Sequence, residues 1–543
     1  MATASAPEQV GAFARPFVFF CRALSFGLFP VALAPPVPLP WPDWGAMHPA
    51  CPYMLLVLVA GAIRGAHRTA RTWALGWPVC LFLVALLALQ ALAMHASVIH
   101  WEVRPVDAAG PYGQLLIPVV TLLVYALGLR LLCAVPGGPT WLARGAIFSL
   151  LLLLGVCGLQ LAWLLTGPEF QAWLGQGIVL PTLPDSVGKA AAALHERLTS
   201  ILHWSGAWLE ARSVAHPDPI YENGAYTLTV LRINGVFATA SDLAVILAVT
   251  YVPLVLAGLS TAGVWGRRVY VLLAGAMIVV LIGGRSPTAF VACLFLLHWL
   301  GRALWAAGRR GRAFLVMLLV VGLGVGAACH DPASRRLAAR MWEPGAAPLP
   351  EETVVWGTWE LVREYPWTGV GYGWSAAYVI HGESYAQTPH TDEEPELQAW
   401  REDTRALPAP SLLLEFLATF GMPLALAVVA SFCWLWLRLR RLVREIGEPE
   451  RRFALAAALP YLQAMAIFVS GDMDWTHPLP LLPCFGLWAM VGVWERQGSA
   501  ATSGRKATGA APAGKRWRVS PAARGEARIS DSPSRPFTLS GGG

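Results

Sequence analysis

Charged side chains are scarce in this chain of 543 residues. Asp, Glu, Lys and Arg make up 13% of the sequence, well below the roughly 25% that is usual in soluble domains. Hydrophobic residues make up 56%. This balance excludes an ordinary soluble globular protein. The net charge of +7 does not indicate nucleic-acid binding, because most of the arginine excess lies in short loops and in the tail, where membrane topology alone requires it.

Metal-binding and disulfide patterns are also missing. The nine cysteines are scattered, with no CxxC or CxH spacing. Most of them stand in apolar runs: Cys80, Cys133, Cys157, Cys293, Cys433 and Cys484. Such cysteines are typical of small buried hydrophobic side chains. The sequence therefore predicts no disulfide framework, no metal site and no cofactor.

Long apolar runs dominate the rest of the chain. A membrane-spanning helix needs about 20 mostly apolar residues. Twelve runs meet this rule, near 13–34, 47–63, 73–94, 114–135, 145–166, 238–260, 267–284, 287–305, 312–329, 411–436, 453–470 and 479–494. The predicted fold class is an all-α polytopic membrane protein with about twelve transmembrane helices.

Arginine clusters predict the orientation of these spans. The clusters lie at 64–71, 267–268, 302–312 and 438–452. The positive-inside rule places all four on the cytoplasmic side, together with both termini. The same alternation leaves two large loops outside, at about 167–237 and, between spans nine and ten, at 330–410. We therefore expect a membrane domain over 1–496 and a disordered basic cytoplasmic tail over 497–543, where Gly, Ala, Ser, Pro and Arg dominate.

Two short segments at span boundaries carry arginines on the predicted outer side. Arg232 opens a segment that ends at Phe237, just before span six. Its guanidinium could bind phosphate oxygens or simply reach lipid head groups. Arg285 lies between two glycines and Pro287, where the helical backbone must break. Ionisable residues at such breaks favour a functional interpretation.

A third segment lies in the large outer loop. Gly369, Gly371 and Gly373 alternate in the run that begins at Pro366. Alternating glycines indicate a tight turn. Its amides could cradle a phosphate or sugar, or the glycines could serve the turn alone.

Taken together, these segments resemble the O-antigen ligase and O-antigen polymerase (Wzy-type) superfamily of membrane glycan ligases. That family typically shows Arg-x-x-Gly-x-Phe before a span, a Ser-Arg-type motif at a span junction, and Pro-x-x-Gly-x-Gly in a long periplasmic loop. The chain matches these motifs in order, over about 230–440, with Arg232, Gly235, Phe237, Arg285, Pro366, Gly369 and Gly371.

The resemblance implies a glycosyltransferase in the bacterial inner membrane. Such an enzyme moves a glycan from an undecaprenyl diphosphate carrier to a hydroxyl of a glycan, lipid or protein acceptor on the periplasmic side. It acts as an O-antigen ligase or polysaccharide polymerase, without metal or cofactor. Arginines would stabilise the negative charge that develops on the leaving diphosphate. We assign this role to Arg232 and Arg285, with Arg340 as a third residue.

The general base is harder to assign, because the chain departs from the family pattern. The loop usually ends in His-Asn, where this chain has Pro410-Ser411. We expect His390 to accept the proton, oriented by Asp392, with His381 as the second choice and His477 as the third.

Two other functions remain open. Twelve spans also suit a transporter or flippase of lipid-linked glycans, although the spans show few central charges and no internal repeat. A non-catalytic family member within a glycan assembly complex is the other alternative, because the usual His-Asn pair is missing.

Overall fold

A computed structural model describes residues 14–38, 46–63, 88, 90, 110–166, 212, 214–222, 225–306, 311, 315, 318, 322, 358–371, 411–442, 449–468 and 477–507. These residues are mostly helical. In chain order the helices are α1 (Ala14–Ala32), α2 (Ala50–Ile63), α3 (Gly110–Ala134), α4 (Gly138–Thr166), α5 (Ala240–Ile246), α6 (Val252–Thr261), α7 (Val264–Gly284), α8 (Pro287–Ala306), α9 (Leu412–Leu442), α10 (Pro449–Phe468) and α11 (Pro478–Ala507).

Five stretches of the described chain are long and apolar enough to cross a membrane. They are Gly138–Thr166, Ala240–Thr261, Val264–Gly284, Thr288–Trp305 and Leu412–Arg441. Large apolar side chains on α7, including Trp265 and Leu272, point outward and are more than two-thirds exposed. Such a surface is stable against lipid rather than water. The prediction of a mostly helical chain with several apolar spans is thus confirmed, whereas the count of about twelve spans stays a prediction. The expected spans near 73–94 and 312–329 lie almost entirely outside the described residues.

A β-hairpin corrects the all-α prediction. Strand β3 (His216–Glu222) pairs antiparallel with β4 (Ala225–Arg232), after a two-residue pair of β1 (Val37–Pro38) with β2 (Ala46–Met47). The sequence does contain the signal, because Asn223-Gly224 separates runs of alternating polarity, the strongest short-range pattern for a hairpin. The segment lies in the predicted outer loop 167–237, and β4 ends at Arg232.

Small residues allow the helices to approach closely. Helix α1 packs along α4, and α6 packs along α10. At Gly145 of α4, a Cβ would clash with the backbone oxygen of Phe26 on α1. Contacts of this kind are typical of helix pairs in membranes, where packing replaces the hydrophobic driving force.

A π-helical turn, Leu247–Tyr251, joins α5 to α6 in the centre of the core. Its side chains form hydrogen bonds with neighbouring helices. The Tyr251 hydroxyl lies 2.9 Å from that of Ser149 on α4, and the Thr250 hydroxyl donates to the Leu479 carbonyl at the start of α11 (2.9 Å). The turn therefore fixes α4 and α11 against the central helix.

The chain divides into two compact units, residues 1–493 and 494–543. In the second unit, α11 continues to Ala507, beyond residue 497, where the tail was predicted to begin. Residues 508–543 of that predicted tail lie outside the described residues.

Candidate functional site

The first two arginine-bearing segments, which are far apart in sequence, meet in the fold. The backbone N–H of Ile233 donates to the carbonyl of Gly283 at the end of α7 (3.2 Å). Ile233 is fully buried, and a Cβ on Gly283 would clash with its side chain. Arg232 immediately precedes this contact and Arg285 follows it closely. We call residues 232–239 and 283–286 together the motif junction.

Gln160 on α4 holds the first segment in place. Its side-chain nitrogen lies 2.9 to 3.0 Å from three acceptors that share its two N–H donors: the carbonyl of Arg212, the side-chain oxygen of Asn234 and the carbonyl of Gly235. Its side-chain oxygen accepts from the backbone N–H groups of Asn234 (3.2 Å) and Gly235 (2.8 Å). Gln160 is 1% exposed. A buried amide that is this fully paired gives the loop a single conformation.

Asn234 and Gly235 complete this arrangement from the loop side. The Asn234 side-chain N–H₂ donates to the Phe237 carbonyl (2.7 Å) and so closes the turn. Gly235 has a left-handed φ of 63°, and a Cβ there would lie 2.9 Å from a methyl carbon of Leu153 on α4. The position therefore needs glycine for both its conformation and its space.

Arg285 occupies an unusual backbone conformation. It ends α7 with φ 46° and ψ 36°, the left-handed region, which glycine normally fills at the ends of helices. Among the described residues it is the only non-glycine residue with positive φ. Its side chain is exposed and makes no hydrogen bond or ion pair with the described part of the chain. The guanidinium is therefore available to a ligand.

Two helices begin beside Arg285. Helix α8 starts directly after it, and its Ser286 hydroxyl accepts from the Ala289 N–H (3.0 Å). Helix α5 starts with a capping box between Thr239 and Asp242. Cβ atoms of both helices lie within 4 Å of a Cβ built on Gly284. Both helix N-termini are thus capped from within the chain, so the positive charge at this place is that of the Arg285 side chain itself.

Arg232 ends β4, opposite His216 in the hairpin register. Its side chain is half-buried and engages in an interaction within the protein. Arg232 is thus held by the fold, whereas Arg285 is exposed at the surface of the junction.

A pair of histidines lies against the same loop. The ring centroid of His477 is 5.8 Å from that of Phe237 and 5.3 Å from that of His48. The Nδ1 atom of each imidazole accepts a backbone N–H two residues ahead, from Leu479 (3.3 Å) and from Ala50 (3.1 Å). Nδ1 therefore carries no proton, and the remaining proton must sit on Nε2.

This tautomer makes His477 a poor general base. Taking a second proton would require loss of its cap on α11, in a place where burial lowers the pKa of His477 to about 4. Nε2 ligation of a metal would likewise need a proton on Nδ1, where the backbone N–H already points. The pair is best interpreted as two neutral caps at the beginnings of α2 and α11.

The glycine segment of the large loop forms a tight turn against α9. Val370 and Gly371 donate their backbone N–H groups to the carbonyls of Ala418 (2.8 Å) and Thr419 (3.0 Å), and Gly369 donates to Tyr365 (3.0 Å). Gly369 and Gly371 both have positive φ. The amides that could have cradled a substrate are therefore used within the protein, which corrects that interpretation for these two glycines.

The glycine turn packs into an apolar cluster of its own. Val370 contacts residues of α3 and α9 there, including Val119, Ala418 and Phe420, apart from the main core cluster that holds Ile233 and Phe237. The structure thus brings the Arg232 and Arg285 segments together, whereas the glycine segment packs in a separate cluster.

Several predicted site residues lie outside the described part of the chain: Arg340, Gly373, His381, His390 and Asp392. Their roles stay predictions. Within the described residues, no group of three or more His, Cys, Asp or Glu side chains could hold a metal ion.

Sequence reasoning missed Gln160 and Asn234. The signal for Gln160 was a lone amide within an otherwise apolar run from Leu150 to Leu165. A buried polar group needs partners, but its partners come from a segment that is distant in sequence, so the pattern alone did not reveal them.

Comparison with known proteins adds no assignment. No family model and no curated protein matches the chain. The functional interpretation therefore depends on the residues of the motif junction themselves.

Proposed function

We propose that this protein is an inner-membrane glycosyltransferase of the O-antigen ligase or polysaccharide polymerase type. It moves a glycan from an undecaprenyl diphosphate carrier to an acceptor hydroxyl on the periplasmic side, without a metal ion. The observation that carries the proposal is the motif junction. The Ile233–Gly283 hydrogen bond unites the Arg232 and Arg285 segments, and Arg285 is exposed beside the start of α8.

The chemistry suits two arginines. The acceptor oxygen attacks the anomeric carbon of the glycan, and the bond from that carbon to the phosphate oxygen breaks. The leaving diphosphate gains negative charge, which guanidinium groups stabilise through paired N–H···O hydrogen bonds. Arg285 is available for this role, and Arg232 stands at the adjoining backbone. We keep Arg340 as a third diphosphate ligand.

The proton of the acceptor hydroxyl needs a base. His390, oriented by Asp392, remains our first choice and His381 our second. The neutral, capping state of His477 weakens its candidacy, because accepting a proton would break the N–H bond from Leu479.

The topology that we propose has about twelve spans, cytoplasmic termini and large periplasmic loops at 167–237 and 330–410. One geometric fact supports it. The motif junction collects the ends of α4 and α7 and the beginnings of α5 and α8, and all four are ends that the arginine distribution assigns to the outer side.

The decisive experiment compares surface glycans of cells whose only copy of the protein is wild type, Arg285→Ala or Arg302→Ala. Arg302 is the matched control, because it lies near the far end of α8, is exposed and stacks on Trp299 (5.0 Å). We expect Arg285→Ala to lower long-chain glycan by about 100-fold or more and to leave lipid-linked glycan unconsumed. Arg302→Ala should behave as wild type.

Membrane levels of the three proteins are measured in parallel, so that poor expression is not mistaken for lost activity. A normal glycan profile with Arg285→Ala at equal protein level contradicts the proposed role. Retention of the lipid-linked glycan on the cytoplasmic face would instead favour a flippase.

A further inference from the structure

A large cavity lies among the helices, lined by the first parts of α4 and α10, the beginning of α11 and Thr250 of the π-helical turn. Its volume is about 510 Å³, within the range of roughly 300–1,000 Å³ that is typical of small-molecule sites. Helices α1, α3, α4, α6, α7, α10 and α11 all contribute to its wall. The wall includes the first part of α4 and of α10, which the arginine pattern assigns to the cytoplasmic half of the membrane.

The wall is almost wholly apolar. Side chains such as Phe29, Leu142, Ala457 and Leu487 form it. Four hydroxyl-bearing residues also line it: Thr140, Thr250, Tyr270 and Tyr461. The hydroxyl of Thr250 donates to Leu479 (2.9 Å) and that of Tyr461 donates to Pro480 (2.8 Å). This mostly apolar wall suits a hydrocarbon chain.

One charged side chain completes the site. Arg144 is the only charged residue among the described residues that line the cavity. It is exposed, and its guanidinium stacks on the ring of Trp141, 4.9 Å from the centroid. It makes no ion pair with the described residues. An apolar interior with a cation at its edge matches a molecule with a hydrocarbon chain and an anionic head.

A second cation adjoins the lining in sequence. Arg452 directly precedes Phe453, which lines the wall, and Arg452 is exposed. Among the described residues that line the cavity, none is acidic. Charge therefore favours an anionic head group over a zwitterionic one.

From these features we propose that the cavity binds an anionic glycerophospholipid of the cytoplasmic leaflet, with an acyl chain among the apolar side chains and the phosphate on Arg144. This site rests on the proposed orientation of the spans but is independent of the proposed glycan transfer. The bound lipid would fill the space between α4, α10 and α11 and so become part of the folded structure.

Native mass spectrometry of the purified, delipidated full-length protein tests the proposal. Phosphatidylglycerol and phosphatidylethanolamine with identical acyl chains are added separately. We expect the wild type to bind phosphatidylglycerol at least about fivefold more tightly, because both lipids carry the phosphate but only phosphatidylethanolamine adds an ammonium group that the arginine repels. Arg144→Ala should remove this preference.

Arg268→Ala is the matched control for the charge. Arg268 stacks on Trp265 (4.6 Å) with the same spacing in sequence and is also exposed, but it does not line the cavity. This variant should keep the preference. If Arg144→Ala keeps it too, or if Arg268→Ala loses it equally, the assignment of the phosphate to Arg144 is overturned.

Substitutions that fill the cavity test whether it holds the acyl chain of the lipid. Ala457→Phe places a ring in the space, and Ala454→Leu is a milder second variant that also lines the wall. A variant that keeps the wild-type melting temperature without added lipid should bind either lipid about tenfold more weakly. Undiminished binding by such a variant would show that lipid sits elsewhere and would overturn the proposal.

Discussion

Among the turns that place residues in the left-handed backbone region, two do so with different kinds of residue. In the glycine turn against α9, the left-handed positions are Gly369, Gly371 and, at the facing kink, Gly421. At the break between α7 and α8, the left-handed residue is Arg285. Glycine adopts this conformation without steric penalty, whereas other residues incur about 1–2 kcal/mol.

The difference separates two purposes. Around the glycine turn, backbone approaches backbone: a Cβ on Gly421 would lie 2.5 Å from the carbonyl oxygen of Trp367, and the amides are paired. The turn holds the glycine segment against α9 through backbone hydrogen bonds. At Arg285 a strained conformation holds an exposed cation that makes no bond with the described residues. Strain at a charged, exposed residue supports the functional role that we propose for Arg285.

The largest expected effect is on stability at the glycine turn. Gly421→Ala should destabilise the protein by about 3 kcal/mol or more, because the new Cβ meets backbone atoms that cannot move aside and φ is 78°. Thermal unfolding in detergent measures the change. Gly275→Ala on α7 is the control, since nothing lies within 4 Å of its Cβ, and it should be neutral or slightly stabilising.

The second effect is at Gln160, which holds the first segment of the motif junction in place. Gln160→Leu should cost about 3 kcal/mol, because it leaves the N–H groups of Asn234 and Gly235 buried without an acceptor. Ser149→Ala, which removes a single buried hydroxyl from the same helix, should cost about 1 kcal/mol. Equal losses of thermal stability in both variants would show that Gln160 does not have the anchoring role described.

The third effect depends on pH. The pKa of His477 is about 4 in the folded protein against about 6.5 in an unfolded chain. Above pH 6.5 both states are neutral, and stability is complete. As pH falls from 6.5 to 4 the unfolded state binds the proton first, so stability falls by an amount on the order of 2 kcal/mol.

A variant isolates this histidine. Asn at position 477 can still cap α11 but does not titrate. His477→Asn should therefore lose less melting temperature than the wild type between pH 6.5 and 4. Parallel curves for the two proteins would mean that His477 is already protonated or solvated in the folded state.

The smallest expected effect tests most directly whether the conformation of Arg285 serves function or packing. Arg285→Gly should raise stability by about 0.5–1 kcal/mol, because relief of the left-handed strain exceeds the extra chain entropy of glycine. The same variant should lose transfer activity. A drop in stability would mean that the arginine is needed for packing and that its conformation is not a sign of function. Melting temperature and surface-glycan profile are the two readouts.

The sequence predicted helix positions well, since most helices begin or end within a few residues of the expected spans, as α1 and α8 do. Apolar length is a local property. The hairpin before Arg232 was not predicted, although Asn223-Gly224 is a hairpin signal. The prediction considered only apolar runs long enough to span a membrane.

The candidate site was predicted only in part. Arg232 and Arg285 were identified because ionisable residues at the boundaries of apolar runs are costly and therefore informative. The supporting residues Gln160 and Asn234 carry no such local signature. The use of the Gly369 and Gly371 amides likewise depends on where α9 lies.

The sequence by itself determined the class of protein and the segments that carry charge, because hydrophobic length and the placement of arginines are written along the chain. Only the tertiary structure decided which segments meet. It joined Ile233 to Gly283, paired the glycine-turn amides with α9 and set the tautomer of His477. Each of these depends on a hydrogen bond between particular backbone and side-chain atoms, and such bonds form only once the helices have packed.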